Sequence, residues 1–287
     1  MASTCIVFVH LPKTAGWTLR ATLRYKYPSR TLFLYNTPDP LETIQAVPLT
    51  DRREARVVSG HVPVGIDRHI PQPCEYITLL REPVERVVST YHYVRTHPKH
   101  RFPHRDGLAH SGMGLEEFVR VGQDPALENL QTRLLSGKEW GEVRELGPGR
   151  REWLAPELGP EDLEAAKRNL DRFLVVGLTE RFDETFILVR RALGWKLPMY
   201  ETHNVAKAPE RREPPSQAAL ELIRERNRMD LELYDHAGRL FRESVARQGA
   251  SFRREVAAFR FINRLPNTVG PHIPRRLRHP LRALLPR

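Results

Sequence analysis

Two short stretches carry residues whose types and spacing can hold phosphate. The first is His10-Leu11-Pro12-Lys13-Thr14-Ala15-Gly16-Trp17-Thr18. It follows an apolar run and leads into helical spacing, so it reads as a strand, a small-residue turn and a helix N-terminus. Such a turn directs several free backbone N–H groups and the positive end of the helix dipole at one place. Lys13 adds a mobile cation, and Thr14 and Thr18 add hydroxyls. The second stretch is Leu79-Leu80-Arg81, where a cation closes an apolar run. A metal-dependent phosphoryl-transfer site would normally offer an acid there for Mg²⁺. Arg81 and Ser89, eight residues further on, are spaced to reach a second phosphate beside the first, although Arg81 equally suits an ion pair with Glu82 or Glu85. Charge answered by Lys and Arg in this way does not require a metal ion.

The elements that would position these groups alternate. Cys5–His10 is a strand and Trp17–Tyr27 a helix, with Leu19, Leu23 and Tyr27 at helical spacing. Thr31–Tyr35, Arg56–Ser59 and Glu75–Leu80 read as further strands. Pro83 suits a helix's first turn, and Val84, Val87, Val88 and Tyr91 recur at i, i+3, i+4 and i+7. Glu161–Asp171, Phe173–Val176 and Phe182–Leu193 read as helix, strand and helix, and two C-terminal helices follow near Gln217–Arg228 and Asp230–Arg247. Repeated βα units predict an α/β fold with a mostly parallel sheet and helices on both faces. The first loop is only partly like a Walker A loop, because its lysine comes three residues before its glycine.

The composition bounds the function classes. The chain has 287 residues, 46 Lys+Arg against 35 Asp+Glu, 40% apolar residues and two cysteines. This excludes a low-complexity or disulfide-scaffold protein. No apolar run approaches the ~18 residues of a membrane span, and Met1–His10 lacks the pattern of a secretory leader. Together with the unpaired cysteines, this leads to the expectation of a soluble, cytoplasmic protein. Cys5 and Cys74 are far apart in sequence, have no metal-ligand spacing and are expected to be reduced thiols. The formal charge is +11, but seven of those charges are arginines of residues 256–287, a stretch without acids. The division expected is a body of residues 1–250 and a basic Pro/Arg-rich arm of residues 251–287, solvated or in weak contact with an anionic membrane. The histidine-rich segment 92–110, with Arg95, Lys99, Arg101 and Arg105, fits no regular ligand set and reads as a basic surface loop. No metal site is expected.

Two motifs in order carry a family resemblance. His10–Leu19 (HLPKTAGWTL) resembles the 5′-phosphosulfate loop of sulfotransferases, and Leu80–Tyr91 (LREPVERVVSTY) resembles their 3′-phosphate motif, with its step from Arg81 to Ser89. Ser59-Gly60-His61-Val62, Leu174–Glu180 and Thr202–Lys207 extend the likeness to the carbohydrate branch that includes heparan sulfate and uronyl 2-O-sulfotransferases. The resemblance spans residues 5–245. It implies a P-loop nucleotide-kinase-like fold and the donor 3′-phosphoadenosine 5′-phosphosulfate, with a carbohydrate or other hydroxyl-bearing acceptor, neutral or anionic, taking the sulfuryl group and no metal or nucleic acid involved; the basic 95–105 stretch would suit an anionic sugar. It places Lys13 at the leaving phosphate oxygen and His61 as general base. Thr14, Ala15, Gly16, Trp17 and Thr18 would surround the 5′-phosphate, largely through backbone N–H groups, and Arg81, Ser89, Asn204 and Lys207 would complete the nucleotide site. Trp17 departs from the small hydroxyl residue common in the family, so its backbone is the expected contact and its ring is expected at the cleft edge.

Other readings stay open at this level. His10 is either a second polar group of the site or a structural strand-end histidine. Asn129, Gln131 and Arg133 are available for ligand contact, while the leucines around them describe an ordinary amphipathic helix. A Mg²⁺-dependent kinase on a related fold would lose transfer with a chelator. A non-catalytic polyanion- or RNA-binding module would depend on residues 263–287, though aromatic residues make up only 8% of the chain and form no stacking motif.

Overall fold

All five residues of Cys5–Val9 are apolar and buried, the mark of a strand with neighbours on both sides and helices on both faces. In the computed structural model this segment, β1, is the centre of a five-stranded, all-parallel sheet. The residues described are 4–35, 39–96, 112–121, 125–138, 142–147, 150–154, 156–195 and 214–264. The sheet is completed by β2 (Thr31–Leu34), β3 (Val57–Gly60), β4 (Cys74–Leu80) and β7 (Val175–Leu178), in the order β2-β3-β1-β4-β7. A separate antiparallel hairpin pairs β5 (Glu142–Gly147) with β6 (Arg150–Leu154).

The helices are α1 (Gly16–Lys26), α2 (Pro40–Ala46), α3 (Leu49–Glu54), α4 (Pro83–Thr96), α5 (Leu115–Val121), α6 (Leu130–Ser136), α7 (Pro160–Leu170), α8 (Phe182–Ala192), α9 (Gln217–Arg226), α10 (Arg228–Ala246) and α11 (Gly249–Arg264). The expected α/β architecture with a parallel, helix-flanked sheet is therefore the one found. One core joins β1, β3 and β4 to Leu19 and Leu23 of α1, Phe186 of α8, Phe241 of α10 and Phe252, Val256 and Phe259 of α11. The stretch 251–264, which composition alone assigns to an arm, is thus part of a helix packed on the core. Among the described residues no helix is long and apolar enough to cross a membrane.

Two local differences from the sequence reading have physical causes. The last strand lies two residues later than the apolar run Phe173–Val176, because pairing with β4 starts at Ile77 opposite Val175. Phe173 instead stacks on Tyr76, ring centroids 5.1 Å apart. The two cysteines, distant in sequence, are partners in register across β1 and β4. Both are free thiols, and the hydrogen-bonding interaction with the Cys74 thiol, then burial, pushes the Cys5 thiol up.

Candidate active site

In a parallel sheet the residues just past the carboxyl ends of neighbouring strands share one edge, where open α/β proteins bind their ligands. The register sets Val9 beside Gly60 and Leu34 beside Gly60. The next residues in each chain are therefore neighbours: Tyr35 after β2, His61 after β3 and His10 after β1. Arg81 follows β4 on the same edge. Gly60 permits the close fit, since a Cβ there would stand 2.1 Å from the Leu34 carbonyl oxygen.

These side chains form one polar and aromatic cluster. His10 Nδ1 is 3.0 Å from Tyr35 Oη, which is 2.7 Å from Ser59 Oγ. The His61 ring meets His10 and Tyr35 edge-on, with centroids 5.2 and 5.1 Å apart. Burial, aided by the charge of Arg20, pushes the half-buried His61 imidazole down to about 4. Burial first, then the neighbouring His61, Arg20 and Lys13, holds buried His10 well below the ordinary histidine value. Both rings are neutral near pH 7. Burial raises the Tyr35 hydroxyl above the ordinary tyrosine value, so it remains protonated.

The loop from His10 to Gly16 turns sharply, with Lys13 and Ala15 both in the left-handed region at φ 68° and 58°. Thr14 is buried, and its hydroxyl donates to the Leu11 carbonyl at 2.8 Å, so this side chain ties the loop together and leaves ligand contact to its amide. The N-terminus of α1 has no side-chain cap and no acid in its first turn. Its amides are thus offered to an anion by a helix that supplies none of its own. Lys13 Nζ lies 4.0 Å from the Tyr93 ring centroid on α4. Ser89 is one helical turn before Tyr93 and so shares the face of α4 turned toward the loop. Thr18 is buried in α1, whereas Trp17 is 51% exposed.

Arg81 joins the two motifs. Its Nη1 donates to the Lys13 carbonyl at 3.2 Å, and its Nη2 pairs with Glu85 at 3.4 Å, the ion pair that the sequence also allowed. Its backbone is clamped by Gln131, whose Oε1 accepts from the Arg81 N–H at 3.0 Å and whose Nε2 donates to the Arg81 carbonyl at 2.9 Å. Gln131 lies in the helix that the leucine spacing described, but its side chain serves the site by holding Arg81. Fully buried Asp230 on α10 anchors that helix. Its carboxylate accepts from the Gln131 and Thr132 N–H groups at 3.1 and 2.7 Å and faces Arg86 Nε at 3.9 Å.

The sheet thus brings Lys13, Thr14, Ala15, Gly16, Trp17, Thr18, His61 and Arg81 to one edge, with Ser89 on the adjoining helix face. Asn204 and Lys207 lie outside the described residues. Tyr35 and Arg20 were missed in the sequence. The signal for Tyr35 was its place one residue past a strand beside a histidine, and for Arg20 its step of three from Trp17 along α1. Among the described residues no cluster of His, Cys, Asp or Glu has the makings of a metal site.

Comparison with known proteins points the same way. The family model for galactose-3-O-sulfotransferase matches residues 161–269, beyond both phosphate motifs. Human galactose-3-O-sulfotransferase 3 is 27% identical over 278 residues, covering 89% of this chain and 60% of the relative. The heparan sulfate 2-O-sulfotransferase of Caenorhabditis elegans is 24% identical over 270 residues, covering 84% of this chain and 79% of the relative. Human heparan-sulfate 6-O-sulfotransferase 1 is 28% identical over 205 residues, covering 64% and 47%. The chain therefore spans about half to four-fifths of the length of these relatives. The motifs at the sheet edge, the parallel fold that aligns them and the match over residues 161–269 agree in making this chain similar to carbohydrate sulfotransferases.

Proposed function

We propose that the protein transfers a sulfuryl group from 3′-phosphoadenosine 5′-phosphosulfate to a hydroxyl of a carbohydrate acceptor. The observation that carries this reading is the uncapped, acid-free N-terminus of α1, flanked on one sheet edge by Lys13 and Arg81. The donor is a substrate that supplies an activated sulfuryl group and departs as 3′-phosphoadenosine 5′-phosphate. The amides of residues 14–18 hold its 5′-phosphate, while Arg81 and Ser89 hold the 3′-phosphate. Asn204 and Lys207 belong to the same nucleotide site on the family pattern.

The chemistry follows from charge. As the acceptor oxygen bonds to sulfur and the bond from sulfur to the bridging oxygen breaks, negative charge collects on the departing phosphate. The Lys13 ammonium stabilises that charge. The acceptor hydroxyl surrenders its proton to His61, which is neutral and ready to accept it. A bound anionic donor offsets the field of Arg20 and raises the His61 imidazole toward the working pH. Tyr35 and His10 position His61 by packing against its ring.

The test is transfer of radiolabelled sulfate from the donor to a panel of oligosaccharides. Wild-type protein labels at least one, and His61→Ala loses about 10²–10⁴-fold in turnover while staying folded. Wild-type turnover in His61→Ala would remove it as the base, and no labelling across an acidic and neutral panel would count against the activity.

A further inference from the structure

The strand order divides the site into halves. Lys13, the α1 N-terminus and Arg81 follow β1 and β4, so on the reading above the donor's phosphates occupy that half. Tyr35 and His61 follow β2 and β3, so an acceptor reaching His61 comes from the other half. There stands a group of side chains that donor binding does not use. The Arg20 guanidinium lies 4.2 Å from the Trp17 ring centroid, 4.1 Å from that of Tyr35 and 5.2 Å from that of Phe33.

Stacking occupies the faces of a guanidinium and leaves its in-plane N–H donors available. Among the described residues Arg20 has no carboxylate partner. Trp17, half exposed beside it, offers a rigid apolar ring. Arg24, one turn on, lies 5.7 Å from the Phe33 centroid, and α1 contains no acidic residue. The face is therefore aromatic and cationic together. A neutral ligand would use the ring alone; a ligand with an apolar sugar face and an anionic substituent would use both.

We propose that Trp17 and Arg20 form the acceptor subsite and that the acceptor is an anionic saccharide. The C–H face of a pyranose ring lies on the Trp17 indole, and the edge of Arg20 takes a carboxylate or sulfate group in a bidentate pair. The same Arg20 touches Tyr35 and sets the charge around His61, so binding at the subsite is coupled to the base. This inference rests on the sulfotransferase reading for the placement of the donor.

The experiment measures binding by titration calorimetry, on protein with and without saturating 3′-phosphoadenosine 5′-phosphate. The probes are an unsulfated uronate-containing tetrasaccharide, a sulfated tetrasaccharide and a neutral tetrasaccharide. At least one acidic probe is expected to bind at least tenfold tighter than the neutral one, and the pair of acidic probes tells carboxylate from sulfate. Arg20→Gln is expected to weaken that binding at least tenfold. Arg20→Lys, which keeps the charge but loses the planar fork, and Trp17→Leu should also weaken it. Arg253→Gln, at an exposed position on α11, controls for general attraction to a basic protein. Equal affinity for the neutral probe, absence of saccharide binding, or a loss in Arg20→Gln no greater than in Arg253→Gln would overturn the subsite. Failure of the wild type to bind the nucleotide would instead sink the donor reading, and the saccharide titration without nucleotide still decides the role of Arg20.

Discussion

The imidazole of His10 rests against the bare Cα of Gly16, so closely that a Cβ at residue 16 would stand 2.2 Å from His10 Cδ2. Strand end and helix start are thereby fitted to each other, and the loop between them is held in the shape that exposes its amides. Gly16→Ala is expected to destabilise the fold by about 1–3 kcal/mol, the usual range for forcing extra volume into a packed site. It should weaken nucleotide binding as well. Urea denaturation and nucleotide titration measure the two effects. Adding His10→Ala to Gly16→Ala should recover part of the lost stability, and strict additivity of the two changes would show that this contact is not the cause.

The acid limb of kcat/KM for the donor, which reports the free enzyme, is expected near pH 4 rather than near 6.5, because burial and Arg20 keep His61 neutral down to about 4 until the donor binds. Removing the cation in Arg20→Gln raises the imidazole and moves the limb to higher pH. A pH–rate profile of the two proteins checks both statements. A limb unmoved by the substitution would separate Arg20 from the base.

Stability should fall as the solution is acidified through the same window. His10 and His61 are both depressed in the folded state, with the unfolded reference at 6.5. Above 6.5 neither state carries these protons. Below it the unfolded chain takes them up first, so stability is lost progressively as pH falls from 6.5 toward 4. Urea midpoints across this range should drop in the wild type and drop less in His61→Gln.

Asp230→Ala is expected to cost about 3–5 kcal/mol, since it leaves Arg86 buried beside a missing partner and frees two α6 amides. Because α6 carries the Gln131 clamp on Arg81, nucleotide affinity should fall with stability. Replacing Gln131 alone by Leu should reduce nucleotide affinity with a smaller loss of stability. Equal affinity in Gln131→Leu and wild type would show that Arg81 needs no clamp.

The parallel sheet was legible because its strands are short apolar runs, each followed by a turn or a helix start: CIVFV and CEYITLL read correctly to within a residue at each end. The hairpin β5–β6 was not, because charged residues along Glu142–Leu154 conceal any alternation of apolar side chains. In the site, Lys13 and Arg81 were legible because each ends or follows a strand in a recognisable motif. Their direct link, from the Arg81 guanidinium to the Lys13 carbonyl, depends on the register of β1 beside β4 and has no trace in the spacing of the chain. Arg20 was hidden for a related reason. On the sequence it is one basic residue of an amphipathic helix, and only the edge position of β2 brings the Phe33 and Tyr35 rings to it.

The central claim is that amides, ammonium and guanidinium at one sheet edge hold a doubly phosphorylated adenosine. Titration calorimetry with 3′-phosphoadenosine 5′-phosphate, in buffer containing a chelator, tests it directly. The account predicts saturable one-to-one binding by the wild type and at least a tenfold loss in Arg81→Ala. No binding by the folded wild type, or equal binding by Arg81→Ala, would contradict it.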